Sequence, residues 1–285
     1  MIDFQIEQYN FKVAENWADL SHDQMLKLAS FCSLPAEKRA RIAYEYIWKV
    51  LLSENEINVE KFWKNLKLSP SQWHQLTQMV VWVFDTKPNK LKVDQFNGLY
   101  VTDFNLAKCS ALEIAWLNVA YINLAKASTE AEALDGIHEI LAIAARPKMK
   151  MKQLAPLLTS PEWNQDVRLP LSQYVVDTNK KAVEKLPIQA KNLIVQYILG
   201  ALEAFVDEFD ILFNSPNKSD VITPDYPEGF GWEAHLRRLA GEGRFGTYPQ
   251  VCSTNGRTIW LNEYQTFLDN EAAIANARLQ ADKSG

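Results

Sequence analysis

The stretch that decides the fold is Thr129–Pro147, TEAEALDGIHEILAIAARP. Thr129 and Glu132 stand at capping-box spacing, where each side chain answers a backbone donor at the start of a helix. Leu134, Ile137, Leu141 and Ala144 recur at steps of three and four, so they share one face, and Ile140 and Ile143 widen it. Pro147 ends the element, because a residue that precedes proline is pushed out of the helical region. The spacing predicts a core helix around which its neighbours pack.

Outward from that helix the same period recurs. Ser21-His22-Asp23-Gln24 is a capping box, followed by Met25, Leu28, Ala29 and Cys32 as one stripe. Pro35 suits the first turn of the next helix, with Ile42, Tyr46, Ile47, Val50 and Leu51 as its buried side. Ser69-Pro70-Ser71-Gln72 is a third start, continued by Trp73, Leu76, Val80 and Val83, and Ser110 with Glu113 is a fourth. Helices also read from Ser172 to Glu184 and from Pro187 to Phe209. Beside the connection after Pro147, which leads into a region broken by Pro156, Pro161 and Pro170, two further places depart from this period. Residues 2–13 alternate (Ile2, Phe4 and Ile6, then Tyr9, Phe11 and Val13) as a small hairpin or ribbon would. Lys87–Asn105, broken by Pro88, Asn89, Asn97 and Gly98, reads as irregular with a short hairpin. The expected fold class is mainly α: a bundle-like array of helices with a small N-terminal β-hairpin and a small C-terminal helical segment.

Domain organisation follows from composition. The 285 residues suit one large domain or two ordinary ones, and 47% hydrophobic with 23% charged residues is a globular balance. The run 214–228 carries Pro216, Pro224 and Pro227 among Ser, Asn and Asp, which is linker chemistry. The expected division is therefore a main helical domain over 1–213, a linker over 214–228 and a C-terminal helical segment over 229–285. That segment opens with GWEAHLRRLAGEG, a short amphipathic helix, and Thr258–Ala281 holds one or two more before a polar tail.

Several function classes lose ground on these numbers. A formal charge of −5 opposes a general nucleic-acid binder, whose affinity rests on phosphate neutralisation. Cys32, Cys109 and Cys252 lie far apart with no CxxC pair, which suits reduced thiols and neither a disulfide framework nor a zinc site. The N-terminus lacks the basic start and apolar run of a signal peptide, and no apolar run reaches the length of a spanning helix. Nine tryptophans, scattered along the chain, read as large anchors between helices.

The sharpest motif is Gly241-Glu242-Gly243-Arg244-Phe245-Gly246, which fits GxGxxG. A dinucleotide site needs a strand before those glycines; here a helix precedes them, so they read as a helix cap and a tight turn. His22, His74, His138 and His235 are separate, and His138-Glu139 lacks a second histidine four residues on, so no metal site is expected. Glu203, Asp207, Glu208 and Asp210 read as a solvated helix face. No GxSxG and no phosphate loop occurs, so neither an enzyme nor a cofactor is expected. Two basic features remain. Arg146, Lys148, Lys150 and Lys152 form a positive connection after the central helix. Arg237, Arg238, Arg244 and Arg257 gather near Trp232, Phe245, Tyr248 and Trp260. Of these, Trp232, Arg237, Arg238, Arg244, Phe245 and Trp260 are the candidate partner-binding residues. The alternative is that the arginines cover a small helical core with their stems.

LAIAARP (Leu141–Pro147), Asp166-Val167-Arg168, Leu186-Pro187 with Lys191, and Tyr197 with Gly200 form a pattern along the chain. It resembles an uncharacterised family of helical proteins from phages and prophages of Bacteroidetes-type bacteria. Trp17, Leu20, Ser21 and Gln24 fit the W-x-x-L-S-x-x-Q segment with which that family begins, and Gly231–Thr247 fits its C-terminal part. The family's genes lie among tail genes. The resemblance therefore implies a morphogenesis protein, most concretely a tail assembly chaperone or tail accessory protein that binds helical segments such as those of a tape-measure protein. A virion component (a neck, tail or packaged cargo protein) is the second expectation. A nucleic-acid-binding factor or enzyme that uses the C-terminal Arg/aromatic segment is the third. The expected location is the cytoplasm of the bacterial host or the virion, with protein partners and no membrane. Oligomeric state is left open.

Overall fold

The computed structural model describes residues 1–6, 9–34, 38, 43–55, 58–160, 163–213 and 230–284. The expected linker 214–228 and the helix start at Pro35 lie outside these residues. The chain is mainly helical. In order it forms β1 (Ile2–Ile6), β2 (Tyr9–Val13), α1 (His22–Cys32), α2 (Ala43–Leu51), α3 (Val59–Asn65), α4 (Pro70–Met79), α5 (Trp82–Asp85) and β3 (Gln95–Phe96). There follow β4 (Leu99–Val101), α6 (Ala111–Lys126), α7 (Glu130–Ala144), β5 (Ala145–Pro147), α8 (Met151–Leu154), α9 (Gln173–Val183), α10 (Ile188–Glu208), α11 (Asp210–Phe213), α12 (Gly231–Gly241), α13 (Tyr248–Ser253) and α14 (Gly256–Ser284). Two compact units result, one of Met1–Gly98 with Lys181–Gly200, the other of Leu99–Lys180 with Ala201–Gly285. No helix among the described residues is long and apolar enough to cross a membrane.

In the first unit β1 and β2 form the expected antiparallel hairpin, with Ile2 opposite Val13 and Ile6 opposite Tyr9. Phe11 and Val13 are buried, and the Phe11 ring meets Phe62 edge-on at 5.2 Å. The capping boxes at Ser21/Gln24 and Ser69/Gln72 both form. Gln24 also reaches inward: its buried amide donates to the carbonyls of Val50 and Leu51 at the end of α2, at 3.1 and 3.2 Å. Trp17 and Trp48 are fully buried anchors whose indole N–H groups donate to the carbonyls of Thr86 (3.0 Å) and Leu76 (3.2 Å).

The second unit is built on the α6–α7 pair. Thr129 and Glu132 make the predicted capping box, and bonds from Ser128 and Thr129 hold the Glu132 carboxyl below its usual range. The apolar face of α7 differs from expectation at its start. Leu134 is 41% exposed and Ile137 half-buried, whereas Ile140–Ala144 are buried on every side. The helix stops at Ala144, three residues before the proline. Arg146, which precedes Pro147, cannot stay helical, and Ala145–Pro147 instead pair with β4 in antiparallel register, Tyr100 opposite Arg146.

Residues 231–260 dock on α6. Leu236, Leu239, Val251, Cys252 and Ile259 form one core with Ala111 and Ala115. The backbone ties this seam, with Ala111 N–H donating to the Thr254 carbonyl (2.8 Å) and Gly256 N–H to the Cys109 carbonyl (2.9 Å). The glycine motif is the cap and turn that were expected. Arg244 N–H reaches back to the Leu239 carbonyl, with Gly243 left-handed at φ 73°. Beyond it come the short α13 and then the 29-residue helix α14.

At Gly136 α7 lies close against α6: a Cβ there would stand 3.1 Å from both Cα and Cβ of Leu124. The backbone at that point cannot retreat as a side chain could. Gly136→Val should therefore destabilise the chain by about 1–3 kcal/mol, as overpacking does, read from denaturant unfolding; an unchanged midpoint would refute the close packing.

Candidate functional site

The C-terminal end of α7 is where four charged side chains converge. The last turn of any helix leaves carbonyls without intrahelical partners, and here side chains supply donors. Arg146 Nη1 donates to the Ile143 carbonyl at 2.8 Å, and Arg168 Nη1 to that of Ala144 at 2.7 Å. Asn179 Nδ2 serves the carbonyls of Ala142 (3.1 Å) and Ala145. Cations at this end also suit the helix dipole.

Each arginine arrives by a different route. The strand β5 carries Arg146. Arg168 is fixed by a bridge opposite Lys148, with Leu169 N–H bonded to the Pro147 carbonyl and Met149 N–H to that of Val167, both at 2.8 Å. Two carboxylates answer them. Glu113, in the first turn of α6, takes Arg146 Nη2 on Oε2 (2.9 Å) and Arg168 Nη1 on Oε1 (2.8 Å). Asp166 takes Arg168 Nε and Nη2, each at 2.8 Å, and Arg146 Nη2 at 3.2 Å. Glu113, Arg146 and Arg168 are 1–3% exposed, so this is a buried, charge-balanced cluster. Burial alone would lower the Arg168 guanidinium, but the Glu113 and Asp166 carboxylates outweigh it and keep the group charged. Arg146 thus leaves the basic connection expected on the surface. Its neighbours Lys148, Lys150 and Lys152 remain exposed, because only Arg146 is held extended against the carboxylates.

The cluster floors a cleft of about 470 Å3. The walls are mostly apolar, contributed by Leu112, Met149, Leu157, Trp163, Leu171 and Pro249, with Ser110, Asn164 and Ser253 among them. Cys252 and Tyr248 complete one side. Burial pushes the thiols of Cys109 and Cys252 up, and the Tyr248 hydroxyl rises through burial and its bonds to Cys252 and Glu233. Among the described residues no three His, Cys, Asp or Glu side chains gather as metal ligands would.

The six predicted partner-binding residues do come together, over α12, its following turn and α14. Their roles differ. Trp260 is 6% exposed and packs with Trp232 (5.3 Å), Phe205 (6.3 Å) and His235, whose ring stacks on it at 5.1 Å. The arginines are paired. Arg237 meets Glu233 (2.8 Å) and covers the Tyr248 ring, Arg238 meets Glu242 (2.6 Å), and Arg244 meets Glu263 (2.6 Å) and lies 6.0 Å from the Phe245 ring. Arg257, read with them in the sequence, pairs with Glu208. The Glu233–Arg237 and Arg238–Glu242 pairs were visible at four-residue spacing. Glu263, twenty-five residues from Arg238, was not, and neither was the convergence of Glu113 with Arg146 and Arg168. No protein-family model, no curated protein and no solved structure matches the chain.

Two outcomes test this geometry. Glu113→Gln leaves two buried guanidiniums with one carboxylate, so it should cost about 3–5 kcal/mol, the range for breaking a buried ion pair; calorimetry that finds native-like stability would remove Glu113 from its place. The second concerns pH. Burial alone would raise the Glu263 carboxyl, but His235, Arg244 and Arg238 outweigh it and hold it below its ordinary 4.5. Its contribution to stability is complete above that value and is lost as pH falls through the lower folded-state value. The stability difference between the native chain and Glu263→Gln should therefore close between about pH 5 and pH 3, and a difference that ignores pH would contradict these contacts.

Proposed function

We propose that this chain acts by binding proteins during phage-particle assembly, most concretely as a tail assembly chaperone or tail accessory protein that holds helical partner segments. The cleft over the Arg146–Arg168 cluster supports this reading above any other feature. Its floor carries two guanidiniums and two carboxylates that pair with one another. Most of its wall residues are apolar, as the lining of a groove that takes one face of an amphipathic helix is. The phage setting rests on the resemblance of LAIAARP, Asp166-Val167-Arg168 and the C-terminal Gly231–Thr247 stretch to the family described above.

The occupant would be an apolar helical segment of the kind from which tape-measure proteins are built. Pull-down of such segments, with affinity read by calorimetry, tests the reading. Leu157→Arg with Leu171→Arg places charge on two half-buried walls and should weaken capture by tenfold or more, the scale of a hot-spot loss, while the circular dichroism stays native. No capture by the native chain, or capture that the variant leaves intact, would end the proposal. Presence of the chain at fixed copy number in purified particles would assign it to the virion itself.

A further inference from the structure

The second half of α14 carries a stripe that nothing among the described residues covers. Leu268, Ala272, Ala275 and Leu279 follow one another at steps of four, three and four, the heptad seam of a coiled coil. All four are exposed, Leu268 at 38% and Leu279 at 58%, although the same helix is buried at Ile259 and Trp260. A seam of this kind repeats every 3.5 residues and turns slowly around the helix, so it fits a second helix better than it fits solvent.

The flanking charges choose the occupant. We propose that α14 pairs with α14 of a second copy of this chain, antiparallel, about a two-fold axis between Ala272 and Ala275. In that register Leu268 of each copy faces Leu279 of the other, and Ala272 faces Ala275. The layers run Leu, Ala, Ala, Leu, so the small residues let the helices approach closely at the centre while leucines close both ends. The same register sets Glu271 beside Arg278 of the other copy, twice by symmetry. A parallel pair in register turns Glu271 toward Asn276 and makes no such contact. The antiparallel arrangement also holds the two docked ends of α14 apart, since residues 268 and 279 are separated by about 17 Å along the helix. Such a seam spans under two heptads, so the contact belongs with small, reversible interfaces. It involves neither the cleft nor its walls, and its fate is independent of the proposed partner binding.

Sedimentation equilibrium of the whole chain, up to roughly 0.2 mM, tests the pairing. The native chain should show a concentration-dependent dimer, and Leu268→Glu with Leu279→Glu should abolish it while leaving the helical signal intact. Glu271→Arg alone and Arg278→Glu alone should each raise the dissociation constant about threefold or more, and the double exchange should restore it. A native chain that stays monomeric over this range overturns the proposal and leaves the stripe to some other helix. Dimerisation that is indifferent to the leucine variant, or single charge reversals that are not rescued by the exchange, overturns it equally.

Discussion

The second unit depends on how the C-terminal end of α7 is closed. A helix that runs into the interior carries its last carbonyls with it, and each one left bare would cost a lost hydrogen bond in a medium without water. Here the carbonyls of Ala142, Ile143, Ala144 and Ala145 all receive side-chain donors, from Asn179, Arg146 and Arg168. Two of those donors are cations, and cations cannot be buried without counter-charge. Glu113 and Asp166 follow from that need. One buried helix end thus sets the positions of α6, β5, the loop before Arg168 and α9.

A cluster of this kind is weak as a source of net stability, because the desolvation of four charges roughly cancels their mutual attraction. Its value lies in direction. Arg168 has one place in which Nε, Nη1 and Nη2 all find acceptors, and that place fixes the strand bridge to Lys148 and the floor of the cleft.

The C-terminal helices illustrate the same economy with weaker materials. Their arginines spread over a small core of Leu236, Leu239, Val251 and Ile259 and meet glutamates at the surface, where ion pairs contribute little each. Aromatic packing of Trp232, Trp260, Phe205 and His235 carries more of the load. Basic and aromatic residues mixed in sequence are therefore separated in space, with the rings inward and the guanidiniums outward.

The sequence by itself determined what local chemistry determines. The helix starts at Ser21, Ser69, Ser110 and Thr129, the N-terminal hairpin, the glycine turn after α12 and the break before Pro147 all depend on residues within a few positions of one another. It went astray at Leu134, since periodicity names a face but not how far along the helix neighbours reach. It placed Arg146 among solvated lysines, and it read Glu113 as a helix-start residue without its second role. Only the tertiary structure decided these, because Glu113, Arg146 and Arg168 are separated by 33 and 55 residues from the partners they meet. Burial in a medium of low dielectric, which no spacing rule encodes, is what turns those four charges from surface decoration into the frame of the unit.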